Sequence, residues 1–124
     1  MIEIEVDNRS GVDVDETAAC ELARRVLAGE GIDAGELGIA FVGADESRTL
    51  KAEHLGIDEA TDALAFPIDS RDALPDGIPR QLGDVVICPQ VVGEAWRAPL
   101  VHALLHLLGY DHGAEMEAQE VLYA

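Results

Sequence analysis

Several short stretches of the chain are mostly apolar, and one alternates apolar and polar residues as a strand does when it buries one face. Residues 2–6 alternate Ile or Val with Glu, and residues 36–42 and 62–66 are two further short apolar stretches. Residues 84–88, Asp-Val-Val-Ile-Cys, are apolar enough for a central strand. Prolines and glycines between the last two stretches predict a loop over residues 67–83. The pattern therefore predicts about four strands.

Helical spacing of apolar residues and capping side chains predict helices between the strands. Asp13 or Asp15 can cap a helix that ends near Ala28, and Asp45 can cap a short helix that ends near Leu55. Further helical segments are predicted after Pro89, over residues 100–108 and over residues 114–122. We therefore predict an α+β fold, in which a mixed sheet of about four strands packs against a buried central helix that carries metal-binding histidines.

The length of 124 residues indicates a single domain over residues 1–124, large enough to bury a core without disulfides or a structural metal. No apolar run is long enough to span a bilayer, and the first residues are typical of a strand rather than of a secretion signal. We expect a cytoplasmic protein without a membrane partner. Cys20 and Cys88 are too few for a disulfide framework or a cysteine zinc site, and we expect buried free thiols.

The net charge of −17, with a pI of about 4.2, disfavours a general nucleic-acid-binding protein, because affinity for phosphate comes mainly from lysine and arginine. The eight basic residues are scattered along the chain, so the fold would have to assemble any positive groove. The acidic excess indicates either a solvated surface suited to solubility or to a saline cytoplasm, or a face that binds a partner.

Three of the four histidines lie within eleven residues, at a spacing that suits one metal ion. On a helix, His102 and His106 are i and i+4 neighbours on the same face. Gly109 can then take the left-handed conformation that reverses the chain and brings His112 beside them. Three neutral imidazoles would hold one zinc ion per chain and leave a fourth position open for water, as in catalytic sites.

The alternative is that these histidines only fill a core helix, because residues 100–108 are otherwise apolar. Buried imidazoles still need polar partners, which a metal would supply. The spacing also matches the zinc-peptidase pattern H-E-x-x-H-x-x-G-x-x-H, but Ala103 stands where that pattern has its general-base glutamate. The sequence therefore favours a metal site and disfavours peptide hydrolysis.

Four motifs follow one another in the second half of the chain. They are residues 61–67 (Thr-Asp-Ala-Leu-Ala-Phe-Pro), residues 83–88 (Gly-Asp-Val-Val-Ile-Cys), the histidine run and residues 115–120 (Glu-Met-Glu-Ala-Gln-Glu). With these motifs the chain resembles the YbeY family of bacterial rRNA-maturation endoribonucleases. The resemblance implies a zinc-dependent, single-strand-specific endoribonuclease of 16S rRNA maturation and ribosome quality control, with His102, His106 and His112 as zinc ligands. The partners it implies are a single-stranded rRNA precursor and ribosomal or assembly proteins.

The chain also departs from the family pattern in the region that precedes the histidines. Leu55 stands where the family has an arginine thought to engage the RNA phosphate, and Ala65 stands where the family has a serine. Both differences bear on phosphate binding. Thr61 and Asp62 can serve the site or only the entry to a strand.

Other polar and aromatic residues are candidates for the chemistry. We name His102 and Asp111 as candidate catalytic residues. A metal-activated water needs a proton acceptor, and Asp111 is either that base or an outer hydrogen-bond partner of an imidazole. Asp84 can face the site from a strand end or serve a turn. Trp96 and Tyr110 can stack an unpaired base or pack in the core.

Two functions of different classes remain. The first is a metal hydrolase that cuts single-stranded RNA. The second is a ribosome-assembly or protein-binding factor in which zinc mainly holds the helix, turn and tail together. The missing arginine, the missing glutamate and the acidic surface favour it. The fourth zinc ligand distinguishes the two, because a zinc with four protein ligands cannot activate water.

Overall fold

The computed structural model describes residues 2–55, 63–111 and 113–123, except for the side chains of His54 and Leu55. These residues form four strands and five helices: β1 Ile2–Asn8, α1 Glu16–Gly29, β2 Gly35–Phe41, α2 Ala44–Leu55, β3 Ala63–Pro67, β4 Gln81–Ile87, α3 Pro89–Val92, α4 Arg97–Leu107 and α5 Ala114–Leu122.

The strands form one mixed sheet in the order β1-β2-β4-β3. β1, β2 and β4 are parallel, and β3 runs antiparallel to β4 at the edge of the sheet. Ile39 lies at the centre, where it pairs with Val6 on one side and with Val85 on the other. The predicted α+β fold with a four-stranded mixed sheet is therefore confirmed.

Local signals in the sequence explain the first strand and helix. In β1, the exposed Glu3 and Glu5 alternate with apolar residues that pack toward the core. Asp15 begins α1, because its side chain accepts a hydrogen bond of 3.0 Å from the Ala18 amide. Of the two caps that the sequence allows, Asp15 is thus the one used. The buried residues of α1 recur at helical spacing: Ala19, Leu22, Ala23, Val26 and Leu27.

The central helix is α4, which contacts α1, β3, β4 and α5. Its buried residues are Leu100, Val101, Ala103, Leu104, Leu105 and Leu107. His102 and His106 are only half-buried, so this face of the otherwise buried helix is partly exposed to solvent. Pro99 lies in the first turn, where its missing amide hydrogen removes no helical hydrogen bond. The sequence prediction of a buried central helix is confirmed.

The strand β4 begins at Gln81, earlier than the sequence predicted. An extra residue in β4, Leu82, shifts the register, so that Glu36 pairs with Gln81 while Leu37 pairs with Gly83. The predicted loop over residues 67–83 is therefore too long by the first residues of β4. The cause is a pairing with a distant strand, which local composition does not reveal.

The helix α2 begins at Ala44, so Asp45 lies in its first turn instead of capping it. The Ala44 amide donates instead to Oε1 of Gln90, at 3.1 Å. The prediction of Asp45 as the cap is therefore wrong, because a side chain that is distant in the sequence takes that role.

Both cysteines are free thiols; Cys88 is buried as predicted, but Cys20 is only half-buried. Within residues 2–55, 63–111 and 113–123, no helix has the length and apolar character needed to cross a membrane.

Gly83, in β4, lies so close to β3 and α4 that no larger residue fits without strain. Its φ is +124°, and a Cβ there would collide with the Phe66 carbonyl and lie 3.1 Å from Cδ1 of Leu107. We expect Gly83→Ala to lower the free energy of unfolding by about 2–4 kcal/mol, because backbone strain and overpacking add. Gly77→Ala is the matched control, since Gly77 has φ +83° but open space around a Cβ, and it should cost only about 1–2 kcal/mol. Urea unfolding measures both, and equal losses would contradict the packing argument.

Candidate metal centre

His102 and His106 face each other one turn apart on α4. Their Nε2 atoms are 3.1 Å apart, and their rings are 4.6 Å apart at an angle of 82°. The i, i+4 spacing of the sequence therefore brings both imidazoles to one place, as predicted. The site lies between α4, which carries the rings, and α5, which packs beside it.

The outer nitrogens of both rings are held by acceptors. Nδ1 of His102 is 3.1 Å from Oε1 of Glu120, and Nδ1 of His106 is 2.8 Å from the carbonyl oxygen of Tyr110. A carbonyl and an ionised carboxylate can only accept, so both Nδ1 atoms donate. If neither ring carries a proton on Nε2, the lone pairs of the two Nε2 atoms point into the same space, which is the arrangement that a shared metal ion needs.

A helix-ending turn positions the Tyr110 carbonyl. Gly109 has φ +100°, the left-handed conformation that the sequence predicted for it. The Gly109 amide donates to the carbonyl of His106, and the Tyr110 amide donates to the carbonyl of Leu105, both at 3.0 Å. This pair of bonds is a Schellman motif, which reverses the chain directly below the histidines.

Glu120 reaches His102 because of the periodicity of α5. Met116 is buried, and Gln119, Glu120 and Tyr123 follow it at the i+3, i+4 and i+7 positions of the same helix face. That face packs toward α4 and α1. Glu120 was not among the predicted site residues, although its spacing from the buried Met116 is a signal that could have identified it.

The chemistry of the two described histidines fits a zinc ion. Two nitrogens bound to one tetrahedral zinc at about 2.0–2.1 Å lie about 3.3 Å apart, close to the 3.1 Å between the Nε2 atoms. Histidine ligands of metals commonly donate their other nitrogen to a carboxylate or a carbonyl, as both do here. His102 and His106 thus have the orientation that two of three zinc ligands require.

The third expected ligand, His112, lies outside the described residues, and its role stays a prediction. Among the residues that are described, no group of three His, Cys, Asp or Glu side chains is arranged around one point. Thr61 and Asp62 also lie outside the described residues, as does the side chain of Leu55.

Asp111 is exposed in the turn after Tyr110. It lines a pocket of about 510 Å³ beside the turn, together with Arg71 and Glu115. The Nδ1 atoms of His102 and His106 donate to Glu120 and to the Tyr110 carbonyl, so Asp111 is the partner of neither. Asp111 therefore lies beside the histidine turn with an exposed carboxylate, and its part in catalysis stays a prediction.

Asp84 is not at the site. Gly83 contacts α4, and strand alternation places Asp84 on the opposite face of the sheet, over Gly38 and beside the acidic residues of β1. The expectation that Asp84 can face the histidines is wrong, because β4 begins earlier and Asp84 lies inside the strand instead of at its end.

Trp96 and Tyr110 pack in the protein. Trp96 is 7% exposed and meets Phe41 edge to face, with ring centroids 6.2 Å apart. Tyr110 is half-buried, and its hydroxyl donates to Oε1 of Glu30 at 2.7 Å. Of the two alternatives left by the sequence, packing is the one that the structure supports for both rings.

Glu30, which follows α1, is a buried carboxylate that the sequence analysis missed. Its side chain is 2% exposed and accepts hydrogen bonds from Tyr110 at 2.7 Å, Tyr123 at 2.6 Å, Gln119 at 2.6 Å and Arg71 at 2.9 Å. Burial alone would raise the pKa of Glu30, but the hydrogen bonds and the positive charge of Arg71 outweigh it and lower the pKa. Glu30 is therefore ionised and fully bonded inside the fold.

The lowered pKa of Glu30 predicts a dependence of stability on pH. A group whose pKa is lower in the folded state stabilises the protein fully above its ordinary pKa of 4.5, and this contribution falls as the pH drops below that value. We therefore expect the stability difference between the wild type and Glu30→Gln to be largest near pH 7 and to shrink below pH 4.5. Urea unfolding at several pH values measures it. A difference that stays constant with pH would contradict the assignment.

Comparisons with known proteins agree with this fold and these motifs. The sequence profile of a family described as Endoribonuclease YbeY matches residues 4–123. The Endoribonuclease YbeY of Salinispora tropica is 37% identical, over 98% of this chain and 89% of that protein. The protein of the same name from Acidothermus cellulolyticus is 38% identical, over 98% of this chain and 85% of that protein.

A structure solved in solution gives the fold independently. A protein of Thermotoga maritima aligns with a TM-score of 0.58 at 24% identity, over 99% of this chain and 86% of that one. The matches in sequence confirm the resemblance seen in the motifs and assign the family. The chain belongs to the Endoribonuclease YbeY family.

Proposed function

We propose that this protein is a zinc-dependent endoribonuclease that cuts single-stranded RNA in 16S rRNA maturation and ribosome quality control. The observation that carries the zinc site is the approach of the His102 and His106 Nε2 atoms to 3.1 Å, with both Nδ1 atoms held as donors. The relatives named as endoribonucleases support RNA hydrolysis. An rRNA precursor as substrate would place the protein in the cytoplasm.

Three histidines would hold the ion: His102, His106 and His112. When bound, zinc supplies Lewis acidity at the phosphodiester and lowers the pKa of a water in its open position. Neutral imidazoles leave the full 2+ charge of the ion available for this chemistry. Single-stranded RNA is the favoured substrate, because its flexible backbone can bring a phosphate into a recessed site.

The residues around the histidines orient the rings and accept a proton. Glu120 and the Tyr110 carbonyl fix each imidazole so that its Nε2 atom faces the ion. Asp111, exposed beside the turn, is our candidate for the general base that removes a proton from the attacking water.

The second candidate function is a ribosome-assembly or protein-binding factor with a mainly structural zinc. The net charge of −17 and the leucine at position 55 favour it, because both weaken binding of RNA phosphates. The two functions differ in the fourth zinc ligand. Water in that position supports the nuclease, and a protein side chain supports the structural role.

Cleavage of a single-stranded RNA oligonucleotide tests the proposal. Protein purified without chelators should contain about one zinc per chain and should cleave the oligonucleotide but not its duplex. Removal of zinc with a chelator should stop cleavage, and added zinc should restore it. Zinc content without any cleavage, under all salt conditions, would favour the structural role.

The contact between Glu120 and His102 leads to a separate prediction about the affinity for zinc. Glu120→Gln replaces the carboxylate that accepts from Nδ1 of His102 and should weaken zinc binding about tenfold. Glu117→Gln is the matched control, because Glu117 is exposed on the same helix and the change in charge is the same. Competition with a chelating dye measures both affinities. Equal affinities in the two variants would show that the charge of Glu120 does not strengthen zinc binding.

A further inference from the structure

We propose that Glu30 is a positioning residue for both histidines of the metal centre, although it contacts neither. The inference rests on the proposed zinc site and adds a residue to it. Glu30 bonds to the two segments that carry the outer acceptors of the imidazoles, namely the turn at Tyr110 and the helix α5. One buried carboxylate thus connects to each ring by a separate path.

The first path goes through Tyr110 to His106. The Tyr110 hydroxyl donates to Oε1 of Glu30 at 2.7 Å, and the carbonyl of the same residue accepts from Nδ1 of His106 at 2.8 Å. Both ends of Tyr110 are therefore fixed. A change in the side-chain anchor would move the carbonyl and with it the His106 ring.

The second path goes through α5 to His102. Gln119 and Tyr123 each donate to Oε2 of Glu30 at 2.6 Å. Glu120 lies between these two residues on the helix and accepts from Nδ1 of His102 at 3.1 Å. The bonds to Glu30 hold this face of α5 against α1, so they also set the distance from Glu120 to His102.

Because Glu30 is buried, its hydrogen-bond partners cannot move without a large cost in free energy. A carboxylate that is 2% exposed has no water to replace a lost donor, so displacing any partner leaves a charge poorly solvated. Arg71 adds two bonds from the β3–β4 loop, to the carboxylate and to the Glu30 carbonyl, at 2.9 and 2.8 Å. The donors around Glu30 therefore have one favourable arrangement. In that arrangement, the Tyr110 carbonyl and Glu120 are held in place as acceptors for the two rings.

Glu30→Gln is the main test, because the amide keeps the size of the side chain but turns one acceptor oxygen into a donor. We expect zinc to bind about tenfold more weakly, as when outer partners of metal ligands are removed. In protein loaded with cobalt, the visible absorption bands should shift, because they report ligand geometry. Ile39→Ala is the control, since Ile39 is buried in the central strand β2 and its loss lowers stability without touching Glu30. The control should retain wild-type affinity and the wild-type spectrum.

The proposal is overturned if Glu30→Gln has the zinc affinity and cobalt spectrum of the wild type, or if Ile39→Ala changes them equally. If Glu30→Gln does not fold, Tyr110→Phe decides. It removes only the hydroxyl bond to Glu30 and should weaken zinc binding about threefold, whereas unchanged affinity would overturn the first path.

Failure of the proposed function gives a different result. Wild-type protein that binds neither zinc nor cobalt would overturn the metal site itself. Nitrogen NMR of His106 in metal-free protein then tests Glu30 alone. A ring that is protonated at Nδ1 in the wild type and mixed between tautomers in Glu30→Gln supports the positioning role. Identical spectra overturn it.

Discussion

Protein that carries His106→Ala is expected to contain no zinc after purification and to cleave no single-stranded RNA above background. His106 faces His102 across 3.1 Å, so its loss leaves at most two of the three proposed imidazole ligands. Two imidazoles alone do not make the three-ligand site that a catalytic zinc requires. Elemental analysis and the oligonucleotide assay measure the two effects independently.

The same substitution should remove the dependence of stability on zinc. At a free zinc concentration about a thousand times the Kd, binding adds about 4 kcal/mol to the free energy of unfolding. A chelator should therefore lower the thermal midpoint of the wild type and of Ile39→Ala, and it should leave His106→Ala unchanged. Full zinc occupancy in His106→Ala would show that the metal is bound elsewhere.

Leu55→Arg is expected to accelerate cleavage of single-stranded RNA by about a hundredfold or more. The resemblance to the family places an arginine at this position, where a guanidinium can hold a phosphate with two hydrogen bonds and stabilise its developing charge.

The wild type should accordingly be a weak nuclease in isolation. Its rate should first rise with moderate salt, which screens the charge of −17, and fall when salt competes for the few basic contacts.

A matched variant separates the guanidinium from the simple change in charge. Ile78→Arg adds the same charge at an exposed position in the loop between β3 and β4. It should change cleavage far less than Leu55→Arg at every salt concentration. The double variant Leu55→Arg with His106→Ala should be inactive. Equal rates for Leu55→Arg and the wild type would show that phosphate binding at position 55 does not limit cleavage. An active double variant would show that cleavage does not need the proposed metal centre.

The parts of the fold that depend on neighbours in the sequence were predictable from the sequence. Three such features depend only on residues a few positions apart in the sequence. They are the alternation of residues 2–6, the cap at Asp15 and the approach of His102 to His106. The left-handed Gly109 belongs with them, because glycine is the residue that this turn favours.

The parts that depend on distant contacts were not predictable. Gln81 extends β4 only because it pairs with Glu36 of β2 across a register shift, and Gln90 caps α2 from another helix. Glu30 lies 80 residues from Tyr110 and 93 from Tyr123, so its role appears only when α1, the turn and α5 meet in the fold. In the sequence it is one of 25 acidic residues, and no local pattern marks it as buried.

The identity of the fourth zinc ligand decides whether the metal centre can activate a water molecule. We would crystallise protein purified without chelators and collect anomalous diffraction at the zinc absorption edge. The account predicts one zinc per chain at about 2.0–2.1 Å from His102, His106 and His112, with a water as the fourth ligand. A fourth ligand from a protein side chain, or the absence of zinc between the histidines, would contradict it.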